Sequence, residues 1–169
     1  MKFPQTLTVT VRDAHTDSVV SNVAFVLTLK AQAKNDYSVG PIITDANGRL
    51  IISSKDCQDA IRRAQEMFIM DYSGDLSTCG RTAELKLHPP EYLRKMISQF
   101  EASPEFWGEG FHDPEQLMTC LRNVENDRYE PLSVLLYEDE IYRNPKVDLR
   151  IVNRKTSQAQ KSGASNETH

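Results

Sequence analysis

The sequence predicts an α+β protein, with an antiparallel β-sandwich in residues 1–90 and helices appended in residues 91–152. Three observations predict this class. Apolar and polar residues alternate over 7–12, an Asn-Gly pair separates two apolar runs, and the apolar spacing lengthens to three or four residues after Pro90. Alternation buries one face of a strand, whereas the longer spacing buries one side of a helix.

The first strand has the clearest pattern. Leu7, Val9 and Val11 alternate with threonine and arginine, so one face of this segment is predicted to be buried. Turn-forming polar residues follow it. The β-branched and aromatic run 23–29 then predicts a second strand, which we expect to pair with the first as a hairpin.

A second hairpin is predicted around Asn47 and Gly48. These two residue types accept the positive φ values that a tight hairpin turn requires. The apolar residues on either side, 42–43 and 50–52, are the predicted strands of this hairpin.

A helix is predicted after the second hairpin. Ser53 or Ser54 can cap its N-terminus, and Asp56 places a carboxylate near the positive end of the helix dipole. A further strand is predicted over 82–87. The Pro-Pro pair that follows ends this strand, because proline has no N–H for the strand ladder.

Two helices are predicted after the Pro-Pro pair. The first is amphipathic over 92–100, and the second opens at Asp113 and Pro114, where an aspartate cap precedes a proline in the first turn. The runs 134–137 and 147–152 are each predicted to return a strand to the sheet. Residues 91–152 are therefore predicted to be a helical elaboration with one or two strands.

The end of the sequence is polar. Residues 153–169 contain almost nothing apolar and cannot offset the entropy of ordering, so they are predicted to form a disordered tail.

Composition argues against several classes of function. The 169 residues include 24 acidic and 20 basic side chains, interspersed, with a net charge of −4, so no broad basic face is predicted for nucleic acid. The densest acidic run, Glu138-Asp139-Glu140, is interpreted as solvated surface. No segment reaches the roughly 18 apolar residues of a membrane span, and no secretory h-region opens the sequence. We expect a cytoplasmic protein without membrane contact.

The cysteines offer no recognisable chemistry. Cys57, Cys79 and Cys120 are odd in number and have no CxxC spacing, which argues against a disulfide framework and a zinc site. They are predicted to be free thiols. Cys120 lies on the apolar side of its helix, whereas Cys79, in a polar stretch, is the one expected to be exposed. With no P-loop, metal cluster or acid–base pair, no catalytic residue, metal or cofactor is predicted.

Three segments of the first half carry a family pattern. Residues 7–13, 19–26 and 44–50 resemble the opening of the transthyretin-like and carboxypeptidase-regulatory-like β-sandwiches. In these families the first strand ends in an aspartate, here Asp13, and a Thr-Asp-x-x-Gly turn, here ending at Gly48, leads into a later strand. The resemblance covers about a third of the chain. It implies an Ig-like sandwich for the first half and, by itself, no function.

One branch of this family, the hydroxyisourate hydrolases, is enzymatic. The resemblance implies that its first-strand catalytic histidine corresponds to Thr10, while its Gly-Arg turn is matched here by an arginine, Arg49. A threonine cannot serve as a base near neutral pH. The alternative function is a hydrolase-type enzyme in which Arg49 binds an anionic substrate and a histidine, His112 or His88, comes from the second half of the chain.

The connection between the two predicted helices of the second half concentrates aromatic side chains. Phe106, Trp107 and Phe111 lie there, beside two glycines. Aromatic residues are enriched at protein interfaces, so these three are candidate binding residues, together with His112 and Arg49. Core packing is the competing interpretation of the aromatic residues.

The functional expectation is a non-enzymatic protein-binding or accessory module built on a β-sandwich, comparable to small bacterial accessory proteins. Such a module recognises another protein through its loops or a sheet edge. Two alternatives stay open: the hydrolase, and a structural subunit of a larger assembly that forms a homo-oligomer through the aromatic connection.

Overall fold

The computed structural model describes residues 1–31, 36–68, 76–102, 113–127 and 129–158. It is a mixed α+β protein with two β-sheets. The elements in chain order are β1 Thr6–Asp13, β2 Ala24–Ala31, β3 Tyr37–Ile43, β4 Arg49–Ser53, α1 Ser54–Phe68, a 3₁₀ turn Leu76–Thr78, β5 Cys79–Leu87, α2 Pro90–Ala102, α3 Pro114–Asp127, β6 Ser133–Tyr137, α4 Glu138–Arg143 and β7 Lys146–Ile151.

The two sheets draw on both halves of the chain. The three-stranded sheet has the order β4-β1-β7, in which β1 is antiparallel to β4 and parallel to β7. The four-stranded sheet has the order β3-β2-β5-β6 and is antiparallel throughout. Both returning strands predicted for the second half are present, as β6 and β7. Residues 91–152 therefore supply one edge strand to each sheet in addition to α2 and α3.

Both predicted hairpins are wrong, although the strands themselves are present. β1 and β2 lie in different sheets, and so do β3 and β4. Alternation identifies a half-buried strand but carries no information about which strand lies beside it. The turn before β4 is nevertheless tight, since Gly48 N donates to Asp45 O at 3.0 Å and has a φ of +70°. The turn carries the chain from one sheet to the other.

A single buried apolar cluster takes side chains from both sheets. In the three-stranded sheet, Leu7 lies opposite Ile52 and Val9 opposite Leu50. The four-stranded sheet contributes other fully buried residues to the same cluster, which are Phe25, Leu27, Leu29, Ala83 and Leu85. Leu7 and Val9 of β1 and Leu50 and Ile52 of β4 therefore bury their side chains in one core.

α1 begins at a reciprocal cap. The N–H of Asp56 donates to the Ser53 hydroxyl at 3.0 Å, and the N–H of Ser53 donates to the Asp56 carboxylate at 3.1 Å. Each side chain thus satisfies one exposed N–H at the helix start. The helix directs Cys57 and Ile61 into the shared cluster.

α2 and α3 form a second apolar cluster on β2. Ala24 is adjacent to Phe25 on this strand, so the two side chains face opposite sides of the sheet. Ala24 packs with residues from both helices, which are Leu93, Ile97, Leu117 and Cys120. The Asn123 side-chain amide donates to Asn22 O at 3.0 Å, and the Asp113 carboxylate caps α3 as predicted. Among the described residues, no helix combines the length and apolar composition needed to cross a bilayer.

The predicted start of the disordered tail differs from the structure. Asn153 is buried, and its side-chain oxygen accepts the N–H of Lys155 at 2.9 Å. The Thr156 hydroxyl donates to the Asp13 carboxylate at 3.1 Å. Polar contacts thus hold residues 153–158 against the end of β1. The composition of this segment offers almost no apolar side chains to bury, which is why the sequence predicts disorder there. Residues 159–169 lie outside the described part of the chain.

Candidate functional site

Four of the five predicted binding residues fall in the connection between α2 and α3. Phe106, Trp107, Phe111 and His112 lie outside the residues that the structure describes. Their assignment to a binding loop, or to core packing, stays a prediction.

Arg49, the fifth predicted binding residue, lies on an open sheet face. It is exposed at the start of β4, opposite Thr10 in β1, and Thr10 is in turn opposite Asp148 in β7. Its backbone N–H donates to the Asp45 carboxylate at 2.9 Å. His88, the other described candidate for hydrolase chemistry, follows β5 in the other sheet.

His88 is a buried residue at the junction of β5 and α2. Burial lowers the pKa of its imidazole, a hydrogen bond with the Pro89 carbonyl opposes this effect, and the nearby Lys86 charge lowers the pKa further. Its Nδ1 is 3.3 Å from Pro89 O, and the Tyr92 ring meets it edge-on at a centroid distance of 6.3 Å. These contacts hold His88 in a packed position, where burial favours the neutral form of its imidazole.

The three free thiols are buried. Burial raises the pKa of Cys57 to about 12, aided by the charge of Asp56 and by Cys79, and burial raises the pKa of Cys120 to about 11. The predicted exposure of Cys79 is wrong, because this residue begins β5 and its side chain enters the shared cluster. With pKa values this high, the thiols of Cys57 and Cys120 stay protonated near neutral pH and are poor nucleophiles and poor metal ligands.

Asp13 is a buried carboxylate at the end of β1, and it accepts hydrogen bonds both from its own turn and from a distant residue, Thr156. Burial by itself raises its pKa, but donors from the N–H groups of Thr16 and His15 and from the Thr156 hydroxyl outweigh this, so that the pKa is lowered. The N–H distances are 2.8 Å from His15 and 3.0 Å from Thr16. Within the described ranges, no group of three or more His, Cys, Asp or Glu side chains is placed to hold a metal ion.

The edge strand β6 has an unusual distribution of apolar side chains. Leu136 is buried, and Val134 packs against the shared cluster. Leu135 and Tyr137 lie on the opposite face and are 49% and 48% exposed. A strand at the edge of an antiparallel sheet normally alternates between apolar and polar residues, whereas β6 is apolar on both faces.

The backbone N–H and C=O groups of β6 also alternate, pointing in turn towards β5 and away from it. Leu87 N donates to Leu132 O at 2.9 Å, and the register continues as an antiparallel ladder in which hydrogen-bonded pairs occur at every second residue. The N–H and C=O groups of Val134 and Leu136 therefore turn towards β5, and those of Leu135 turn towards the free edge. We define the β6 edge as Ser133, Leu135 and Tyr137.

Acidic side chains follow the β6 edge directly. Glu138, Asp139 and Glu140 form the first turn of α4, which we name the acidic turn. A surface depression of about 440 Å³ lies beside it, and five residues line this depression: Lys2, Glu138, Asp139, Tyr142 and Arg143. Tyr142 is itself 59% exposed. The sequence predicts strand 134–137 and the acidic run, but not their use as a surface. The absence of polar alternation within 134–137 is visible in the sequence, but by itself it equally fits a strand that is buried on both faces.

No family model, no curated protein and no solved structure matches this chain. The functional assignment therefore rests on the chemistry of the β6 edge and its surroundings.

Proposed function

We propose that this chain is a non-enzymatic protein-binding module that contacts its partner through the β6 edge. The observation that carries the proposal is the exposure of Leu135 and Tyr137, 49% and 48%, on a strand with no neighbour on one side in the described part of the chain. Exposed sheet edges pair readily with other chains, and proteins usually protect them with charge or proline. Apolar side chains on such an edge favour an interaction surface.

The other three edge strands lack this combination. β7 presents Lys146, Asp148 and Arg150 on its outer face, and β3 contains Pro41, which has no N–H. β4 has one exposed apolar side chain, Ile51, set between more polar neighbours. Isolated exposed apolar residues are ordinary on protein surfaces. Two exposed apolar residues on the same face of one edge strand are less common, and this feature distinguishes β6 from the other three edge strands.

We also propose that the two sheets pack face to face as a β-sandwich of the transthyretin-like kind. The support is the buried cluster that both sheets share, together with the placement of the family-like segments: Asp13 ends β1, and the turn at Gly48 leads into β4. Face-to-face packing places the two sheets roughly 10 Å apart, and distances between spin labels on the two sheets measure this separation. Sheets splayed apart beyond this separation would contradict the proposal.

The binding proposal is tested by site-specific photo-crosslinking. A photo-reactive phenylalanine analogue replaces Tyr137 in one variant and Tyr92 in a matched control, since Tyr92 is an equally large, 58% exposed tyrosine on α2. In lysate from the source cells we expect Tyr137, and not Tyr92, to give one saturable protein adduct. The adduct should be lost when the Leu135→Lys substitution is added. Equal adducts from both positions, or none from Tyr137, would contradict the proposal.

A further inference from the structure

Building on the proposed function, we infer that the β6 edge binds an extended segment of another protein as an added antiparallel strand. The bound segment has apolar residues at alternate positions and basic residues on its N-terminal side. Three features of the structure lead to this inference: backbone groups of the edge that no strand among the described residues pairs with, the exposed side chains of the edge, and the charge at one end.

The free backbone groups define where a strand can be added. Since Val134 and Leu136 turn towards β5, the N–H groups of Ser133, Leu135 and Tyr137 turn outward. The C=O groups of Ser133 and Leu135 turn the same way, while Tyr137 is the N-cap of α4. Main-chain hydrogen bonds to such an edge give the affinity in strand addition. An antiparallel orientation continues the pattern of the four-stranded sheet.

The side chains define what the added strand carries. Leu135 lies opposite Glu84 and Tyr137 opposite Thr82 in β5, so the apolar positions are on the solvent side of this sheet. Side chains of an added strand that point to this side contact Leu135 and Tyr137 as cross-strand neighbours. Apolar residues at alternate positions of the partner segment bury these two exposed side chains.

The acidic turn sets the charge and direction of the partner segment. Asp139 and Glu140 are exposed, and none of the three carboxylates is in an ion pair within the described residues. A strand antiparallel to β6 begins beside the end of β6, so its N-terminal flank lies next to the acidic turn. Lysine or arginine in that flank complements the charge, which favours the correct register and speeds association.

A second copy of this chain fits the same edge poorly. Two-fold antiparallel pairing of β6 with itself brings the acidic turn of one copy beside the residues that precede β6 in the other. Those residues include an exposed carboxylate, Glu130, and a proline, Pro131, which has no N–H to donate. Like charges in opposed positions destabilise strand pairs. The β6 edge therefore disfavours pairing with the β6 edge of a second copy and favours a basic partner segment.

The test uses the full chain and two synthetic peptides. The basic probe is acetyl-Lys-Arg-Lys-Val-Thr-Val-Thr-Val-amide, and the control peptide replaces its first three residues by Glu-Asp-Glu. We expect the basic probe to bind at least tenfold more tightly by fluorescence anisotropy. We also expect it to slow hydrogen exchange at the amides of Leu135 and Tyr137. Equal affinity for the two peptides, or protection confined to other strands, would overturn the inference.

Substitutions at the edge locate the contact. Leu135→Pro removes the central outward N–H while sparing the bonds to β5, and should weaken binding of the basic probe at least tenfold. Leu135→Lys is the second variant if the proline variant fails to fold, and it should weaken the same probe by charge repulsion. Ile51→Lys makes the same change at an exposed apolar residue on β4 and should leave affinity unchanged. Equal losses from Ile51→Lys and Leu135→Lys would contradict the inference.

The outcomes separate strand addition from the broader proposal. A Tyr137 adduct that persists in Leu135→Pro, with no amide protection by the basic probe, would overturn strand addition and leave protein binding intact. No adduct at Tyr137 and no peptide binding would remove both. Concentration-dependent self-association of the free chain that Leu135→Lys abolishes would replace the basic partner by a second copy and so overturn the inference.

Discussion

Gly48 has a conformation and a position that only glycine satisfies. Its φ is +70°, and a Cβ atom there would lie 2.7 Å from Val11 O and 2.9 Å from Val19 Cβ. Gly48 O also accepts the N–H of Val11 at 2.7 Å, so the backbone cannot move away without losing a hydrogen bond. The Asn-Gly pair in the sequence predicts the positive φ. The close approach to Val11 depends on strand packing that no local pattern encodes.

Gly48→Ala is expected to lower the free energy of unfolding by about 3 kcal/mol. Two costs contribute, the strain of an alanine in the left-handed backbone region and the overpacking of its Cβ atom. Urea denaturation followed by circular dichroism measures this loss. Gly80→Ala is the control, since a Cβ at that position would meet Lys30 O at an ordinary 3.4 Å. It should change stability by less than about 1 kcal/mol. Equal losses in the two variants would show that the close approach at Gly48 is not the cause.

At the scale of elements, local patterns predict the strands but not their partners. Thr44 illustrates the reason. Its hydroxyl accepts the N–H of Val23 at 3.0 Å, and its own N–H donates to Val23 O at 3.0 Å, which fixes the start of the turn to the four-stranded sheet. A few residues later Arg49 pairs with Thr10 in the other sheet. The sheet switch depends on these contacts between distant residues, whereas alternation depends on neighbours.

The β6 edge shows the same limit for the candidate site. The continuous apolar run in this strand predicts burial on both faces. The structure leaves one face open because α2 and α3 pack on Ala24 of β2 and not on Leu135 of β6. Where a helix packs on a sheet follows from tertiary contacts, so the exposure of Leu135 and Tyr137 could not be read from residue order. The acidic turn was visible in the sequence, but its position beside an open edge was not.

The junction of β5 and α2 is expected to be sensitive to mild acid. The pKa of His88 is lowered from 6.5 by burial, so the unfolded chain binds a proton more readily than the folded chain. Stability is therefore fully present above the unfolded value of 6.5 and declines as pH falls from there through the folded pKa. Urea denaturation at pH 7.5 and pH 5.5 should show a smaller decline for His88→Gln than for the unsubstituted chain. The same decline in both would mean that another group is responsible.

At the scale of the whole molecule, the second half of the chain completes the sheets that the first half begins. β6 and β7 supply an edge strand to each sheet, and Thr156, after β7, contacts Asp13 at the end of β1. Residues 1–90 contain neither β6 nor β7, so each sheet takes one edge strand from beyond residue 90. The predicted boundary at residue 90 therefore does not divide the chain into two parts with complete sheets. The resemblance in the first half identifies segments that form β1, β2 and β4, but it does not extend to the strands that close the structure.

Asp13 joins the first strand to the last described residues, and its substitution tests this closure. Asp13→Asn keeps the shape but weakens the three hydrogen bonds from the His15 N–H, the Thr16 N–H and the Thr156 hydroxyl. We expect a loss of about 1–2 kcal/mol in the free energy of unfolding at pH 7, since hydrogen bonds to a charged acceptor are stronger than those to a neutral one.

The pH dependence of unfolding provides an independent measurement of the same contact. The pKa of Asp13 is lowered from 3.8, so the folded chain releases this proton more readily than the unfolded chain does. The stabilisation is present above 3.8 and is lost as pH falls through the lower folded pKa. Between pH 5 and pH 3 the unsubstituted chain should therefore lose more stability than Asp13→Asn. Thr156→Val, which removes the hydroxyl that contacts Asp13 and the Asn153 carbonyl, should show an intermediate loss at pH 7. If Thr156→Val is neutral while Asp13→Asn is destabilising, the carboxylate caps its own turn and contributes nothing to holding residues 153–158.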